Sequence, residues 1–146
     1  MSIPSRELPT YKGRYIGVVA LTIAQTLVGF VHLAFGLWLL FSPHIGLFAG
    51  LLGSSSVPDA YGIYTVVFGF LTLVFAGELW GHKWVGWVGN IAIALFVIMA
   101  DFLVLLNLPS IPGIPKFAGL GEIVYSILVI IYLNQRHVKA RYEISA

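Results

Sequence analysis

The sequence predicts an all-α protein, a four-helix transmembrane bundle with a short interfacial or re-entrant segment between helices 1 and 2. Three observations predict it. First, 59% of the 146 residues are apolar and only 10% are charged, with a mean hydropathy of +0.94; roughly 25% charged residues is the usual share for a chain with a water-facing surface. Second, the apolar residues gather into four runs, about 15–41, 61–80, 84–106 and 117–133. Third, the seven prolines at 4, 9, 43, 58, 109, 112 and 115 all fall outside those runs, as unkinked helices require. The length fits one domain, 1–146, set in lipid.

The first run, Tyr15 to Phe41, has 27 residues without a charge. A span needs about 20 residues, so this helix tilts or protrudes. It is also too long for the apolar core of a signal peptide, and no small-residue cleavage pattern follows it. Ser42–Pro43 closes it. The second run is entered through Pro58–Asp59 and left through Gly81–His82–Lys83. The third stops at Asn107–Leu108–Pro109. The fourth, Phe117 to Leu133, is the shortest and ends in Asn134–Gln135–Arg136.

Between the first two runs, His44 to Gly53 is apolar or Gly apart from His44 itself. Ten residues cannot cross a bilayer as a helix, hence the expectation of an interfacial or re-entrant segment. Ser54–Ser56 reads as a flexible connector, and the Pro-rich stretch 109–115 as a stiff one.

Orientation follows from the cations. Arg6, Lys12, Arg14, Lys83, Arg136, Lys139 and Arg141 fall on one side of a four-span chain, and Lys116 alone on the other. The positive-inside rule places both termini in the cytoplasm of a cell membrane. Aromatic belts agree: Tyr15, Trp80, Trp84, Trp87 and Tyr132 mark the inner interface, and Trp38, Phe41, Tyr61, Tyr64 and Phe117 the outer one.

Lipid tails are as apolar as leucine, so helices in a membrane associate through close approach of small residues and a few polar contacts. Helix 1 carries Thr22, Gln25, Gly29, His32 and Gly36 at spacings of three and four. Helix 2 repeats the pattern with Gly62, Thr65, Gly69, Thr72 and Ala76. Helix 3 offers Gly86, Asn90, Ala94, Val97 and Asp101. These are the expected inward faces, and Gly29, Gly36, Gly62, Gly69 and Gly86 are read as packing residues.

Several function classes drop out. The chain has no cysteine, which removes disulfides, thiolate metal sites, iron–sulfur clusters and thiol nucleophiles. The four histidines lack zinc-enzyme spacing, no phosphate-binding loop is present, and no basic-aromatic stripe suggests nucleic acid. No cofactor is evident. A single intramembrane histidine does not supply bis-His haem ligation.

Ionisable groups inside a span cost ~2.5–3.5 kcal/mol on insertion scales and are functional candidates by default. Asp101 lies five residues before the outer end of helix 3, Glu122 five residues after the outer start of helix 4, and His32 about one turn deeper on helix 1. Together they form a candidate polar cluster in the outer half of the bundle. An imidazole with two carboxylates suits proton exchange or a divalent cation. The structural readings are that Asp101 caps or hydrogen-bonds within the bundle, Glu122 favours a helix N-terminus, and His32 bonds a neighbouring carbonyl.

The stretches Tyr61 to Gly69 and Ala76 to Trp84, the Pro-rich loop, Glu122 and Ile131–Leu133 together resemble a group of small four-helix integral membrane proteins. The likeness covers roughly the last 90 residues. It implies the same topology and brings no activity with it. The first expectation for function is therefore a small accessory or structural subunit packed against a larger membrane complex, such as a respiratory or oxidase assembly, with self-association compatible. The alternative is a small proton- or ion-coupled transporter using His32, Asp101 and Glu122.

Overall fold

The computed structural model describes residues 10–11, 14–41, 57–109 and 116–142. The described chain is almost entirely helical: α1 (Ile16–Phe41), α2 (Val57–Trp80), α3 (Trp84–Leu105), α4 (Lys116–Leu133) and a short α5 (Arg136–Arg141). Ahead of α1, β1 (Thr10–Tyr11) pairs antiparallel with β2 (Arg14–Tyr15). The segment 44–53, the run Ser54–Ser56 and residues 110–115 lie outside the described residues.

Three helices are long and apolar enough to cross a membrane, over Ile16–Leu40, Tyr61–Trp80 and Trp84–Leu105. They mark a membrane protein. At the helical rise, α1, α2 and α3 reach about 39, 36 and 33 Å, against a hydrocarbon layer of about 30 Å. The 18 residues of α4 reach about 27 Å. Four boundaries differ from the sequence expectation. α3 ends at Leu105 and α4 starts at Lys116, each one residue off; Tyr15 belongs to β2, and α2 starts at Val57, with Pro58 in its first turn, where a missing N–H costs nothing.

Neighbours in sequence pack as neighbours in space: α1 on α2, α2 on α3, α3 on α4. The α1–α2 contact is built on glycine. A Cβ at Gly69 would stand 2.5 Å from the Leu33 nitrogen and 2.8 Å from the Gly29 oxygen, and one at Gly36 would stand 2.7 Å from the Val66 nitrogen and 2.9 Å from the Gly62 oxygen. Gly29 thus opposes Gly69, and Gly36 opposes Gly62, the register of two antiparallel helices in backbone contact. Gly86 does the same for α3, where a Cβ would collide with the Leu79 backbone of α2.

Polar atoms on these inward faces are mostly spent inside the bundle. Thr26, Thr65 and Thr72 each donate a hydroxyl proton to the carbonyl four residues back. Asn90 on α3 donates to the Phe75 carbonyl of α2 and the Gly86 carbonyl of its own helix.

The end of the bundle that carries α5 is closed by packing. Val18, Leu21, Leu79, Ala94, Val129, Leu133, Val138 and Tyr142 form one buried cluster. Trp87 donates its indole N–H to the Leu133 carbonyl at 2.9 Å, and the Tyr142 hydroxyl donates to the Leu79 carbonyl at 2.9 Å. Both acceptors lie in the last turn of a helix, where carbonyls are open to partners from outside the helix. His82 and Asn107, each at φ 56°, end α2 and α3. Lys83 and Leu108 then donate back to Glu78 and Leu103, and His82 and Asn107 to Leu79 and Val104, the paired pattern of a Schellman cap.

Candidate functional site

Away from that closed end, the seam between α1 and α4 holds a cavity. Each of these helices packs mainly on another partner, α1 on α2 and α4 on α3, which leaves room where they face. The cavity has a volume of about 30 Å³, and its walls include Gln25, Val28 and His32 of α1, Phe68 of α2, Ala94 and Val97 of α3, and Glu122, Tyr125, Ser126 and Val129 of α4. That volume holds about two water molecules. The α4 residues recur at i, i+3, i+4 and i+7, one helical face.

His32 stands at the α1 wall. Its Nδ1 lies 2.8 Å from the Val28 carbonyl one turn back. A carbonyl only accepts, so Nδ1 carries the proton, and Nε2 of the neutral ring is an acceptor. That nitrogen faces Glu122 Oε1 across 3.9 Å, beyond hydrogen-bond length. Two acceptors therefore confront each other with no donor between them. A second proton on His32 turns the pair into imidazolium and carboxylate, and a donor lodged in the gap satisfies both without it. The side chains are 22% and 34% exposed, so the gap opens at the α1–α4 seam. The Tyr125 hydroxyl, also on the wall, is buried without a hydrogen-bond partner.

Asp101 is more deeply set, at 1% exposure. Neither carboxylate oxygen has a hydrogen-bond partner among the described residues. Its side chain lies flat on α4 at Gly119, where an added Cβ would stand 3.2 Å from both Asp101 Cβ and Cγ. Gly119 precedes Glu122 by nearly one turn of α4. The structure thus brings His32 and Glu122 face to face and sets Asp101 beside them, one turn along α4. The expected polar partner of Asp101 on α1 or α4 is not found among the described residues.

The divalent-cation reading needs correction. Among the described residues, no three His, Asp or Glu side chains gather closely enough to hold a metal ion. His32 and Glu122 face each other, and Asp101 packs against Gly119.

A run of rings leads from the last turns of α1 toward His32. Trp38 stacks on Phe35, Phe35 meets Tyr61 edge-on, and Tyr61, Tyr64 and Phe68 stack in turn; Phe68 then lies 4.9 Å from the imidazole. Sequence reasoning missed Phe68, Tyr125 and Ser126 as wall residues. The spacing of Tyr125 and Ser126 from Glu122 was the signal available for two of them. No known protein family, curated protein or solved structure matches this chain.

Proposed function

We propose that the chain is a four-span integral membrane protein with both termini in the cytoplasm, and that it is a small proton-coupled carrier working through His32, Glu122 and Asp101. The observation that carries this reading is the pair of acceptors, His32 Nε2 and Glu122 Oε1, facing each other at 3.9 Å in a cavity. Such a pair gains a contact when it takes up a proton and loses it on release. A helix whose only task is to fill space has no use for two titratable groups at membrane depth, given what they cost there. Asp101 supplies a second carboxylate that can hold a proton in place of a partner. The fourth span, α4, is supported by the apolar run up to Leu133 and by its packing along α3. The cation asymmetry of the sequence supports the orientation.

Proteoliposomes with a trapped pH indicator test it. Under an imposed membrane potential, the wild type is expected to acidify the lumen faster than protein-free vesicles do, and Asp101→Asn and Glu122→Gln to abolish the difference. Equal rates in the wild type and both variants would dismiss the reading.

The accessory-subunit reading stands second. It is favoured by Phe30, Phe70 and Phe102, each more than half exposed, which offer large flat apolar contacts to a neighbouring membrane protein. Recovery of a larger complex from native membranes in mild detergent is its test. Recovery of this chain only alone or with copies of itself counts against it.

A further inference from the structure

The α1–α4 cavity gathers polar side chains around one unsatisfied pair of acceptors, His32 Nε2 and Glu122 Oε1. Gln25, Tyr125 and Ser126 line it as well, while Phe68 offers a ring. Gln25 and Ser126 are each only 4% exposed, so these are built-in polar groups and not surface side chains that wandered in. The Tyr125 hydroxyl is unpartnered among the described residues. Two cations that could have met the carboxylate bond elsewhere, Lys83 with Glu78 and Lys116 with Asn107.

The chemical group that fits this set is a primary ammonium. It carries three donors and no acceptor, a positive charge to meet Glu122, and an affinity for an aromatic face. Its head is about the size of a water molecule, which suits a volume of about 30 Å³; a quaternary ammonium, wrapped in methyl groups, is too large and brings no N–H. The part-exposed His32 and Glu122 side chains place the opening in the helix seam. In a four-span bundle that seam faces hydrocarbon, so a ligand arriving there is dissolved in the membrane and leaves its tail in lipid.

The geometry points to a binding site for the protonated amine end of a membrane-dissolved primary amine, held by Glu122, His32 and Tyr125 in the α1–α4 cavity. The inference rests on the carrier reading and names the class of cation that competes with the proton at Glu122. Its N–H donors meet both facing acceptors, His32 Nε2 and Glu122 Oε1, at once, which a single proton does not do.

Calorimetric titration of the purified full-length protein in maltoside micelles tests the site, with dodecylammonium, dodecanol and dodecyltrimethylammonium as probes. Saturable binding of dodecylammonium alone is expected, weakened at least about tenfold in Glu122→Gln, as loss of a charge-assisted hydrogen bond requires. Gln25→Leu, which keeps the carboxylate and removes one acceptor, is expected to weaken binding less. Size-exclusion profiles establish that each variant is folded. Equal binding of dodecanol or of the trimethyl compound would overturn the inference, since a greasy cleft or micelle partitioning then explains it. Equal affinity in wild type and Glu122→Gln would do the same. Carboxylate-dependent proton flux without amine binding removes this inference and leaves the carrier reading standing. Amine binding without proton flux overturns the carrier reading and the competition drawn from it, and leaves the amine site alone.

Discussion

His32 commits one ring nitrogen to its own helix at Val28 and turns the other toward Glu122; that division of labour decides what the site can do. A neutral imidazole leaves the gap unsatisfied, and a cation in the gap completes it. Asp101 is the harder case, because a buried carboxylate without a partner carries a desolvation cost that nothing in its surroundings offsets. Asp101→Asn is therefore expected to leave the bundle as stable or to stabilise it by about 1–2 kcal/mol, while proton flux is lost. A thermal melt in detergent, read beside the flux assay, separates the two effects. Gly119→Ala tests the contact from the α4 side. The new methyl would sit 3.2 Å from Asp101 Cβ and Cγ, so a loss of about 1–3 kcal/mol is expected in the same melt. That three ionisable residues stand within or beside the apolar runs was legible in the sequence, because charge in an apolar run is conspicuous. Which of them meet was not. Pairing His32 with Glu122, and turning Asp101 to Gly119, depends on the rotation of α1 against α4, and helical spacing does not fix how two helices face each other.

Among the elements, α1 and α2 are joined most tightly, through two glycine pairs rather than interlocked side chains. Gly69→Val is expected to force them apart, since its Cβ would stand 2.5 Å from the Leu33 nitrogen and backbone cannot yield as a side chain can. The expected loss is about 1–3 kcal/mol or more, seen as a lower melting temperature and new protease sites in the α1–α2 region. Tyr142→Phe is milder. It removes one buried hydrogen bond to the Leu79 carbonyl and is expected to cost about 1 kcal/mol. The glycine register was legible because Gly29 and Gly36 repeat the seven-residue spacing of Gly62 and Gly69. The N-terminal strand pair and α5 were not. Two-residue strands are too short for any periodic signal, and Arg136–Arg141 reads as a basic tail. Only Val138 and Tyr142, four residues apart and both buried, betray the face that docks on the bundle.

For the whole molecule, asymmetry between the two ends is the main feature. The end that carries α5 is sealed by a contiguous apolar cluster and by Trp87 and Tyr142 bonded to last-turn carbonyls. His137 lies edge-on to Tyr15 at 5.0 Å, and Arg141 sits over the same Tyr15 ring at 5.7 Å, so the C-terminal helix is tied to the start of α1. Polar groups gather instead toward the opposite end, in the α1–α4 seam. Reporter fusions at either terminus are expected to read as cytoplasmic, and one at Ser55 as external; an external C-terminus would contradict the cation argument. The three helices long enough to cross a membrane were legible from apolar length alone. The shorter α4 packs along α3. The central claim is that the carboxylates of the seam exchange protons. Infrared difference spectroscopy of the purified protein through a pH titration measures this most directly. The account predicts protonated-carboxyl bands that come and go with pH, one removed by Glu122→Gln and one by Asp101→Asn. A spectrum in which no carboxyl band changes at any pH, or in which the bands survive both substitutions, would contradict it.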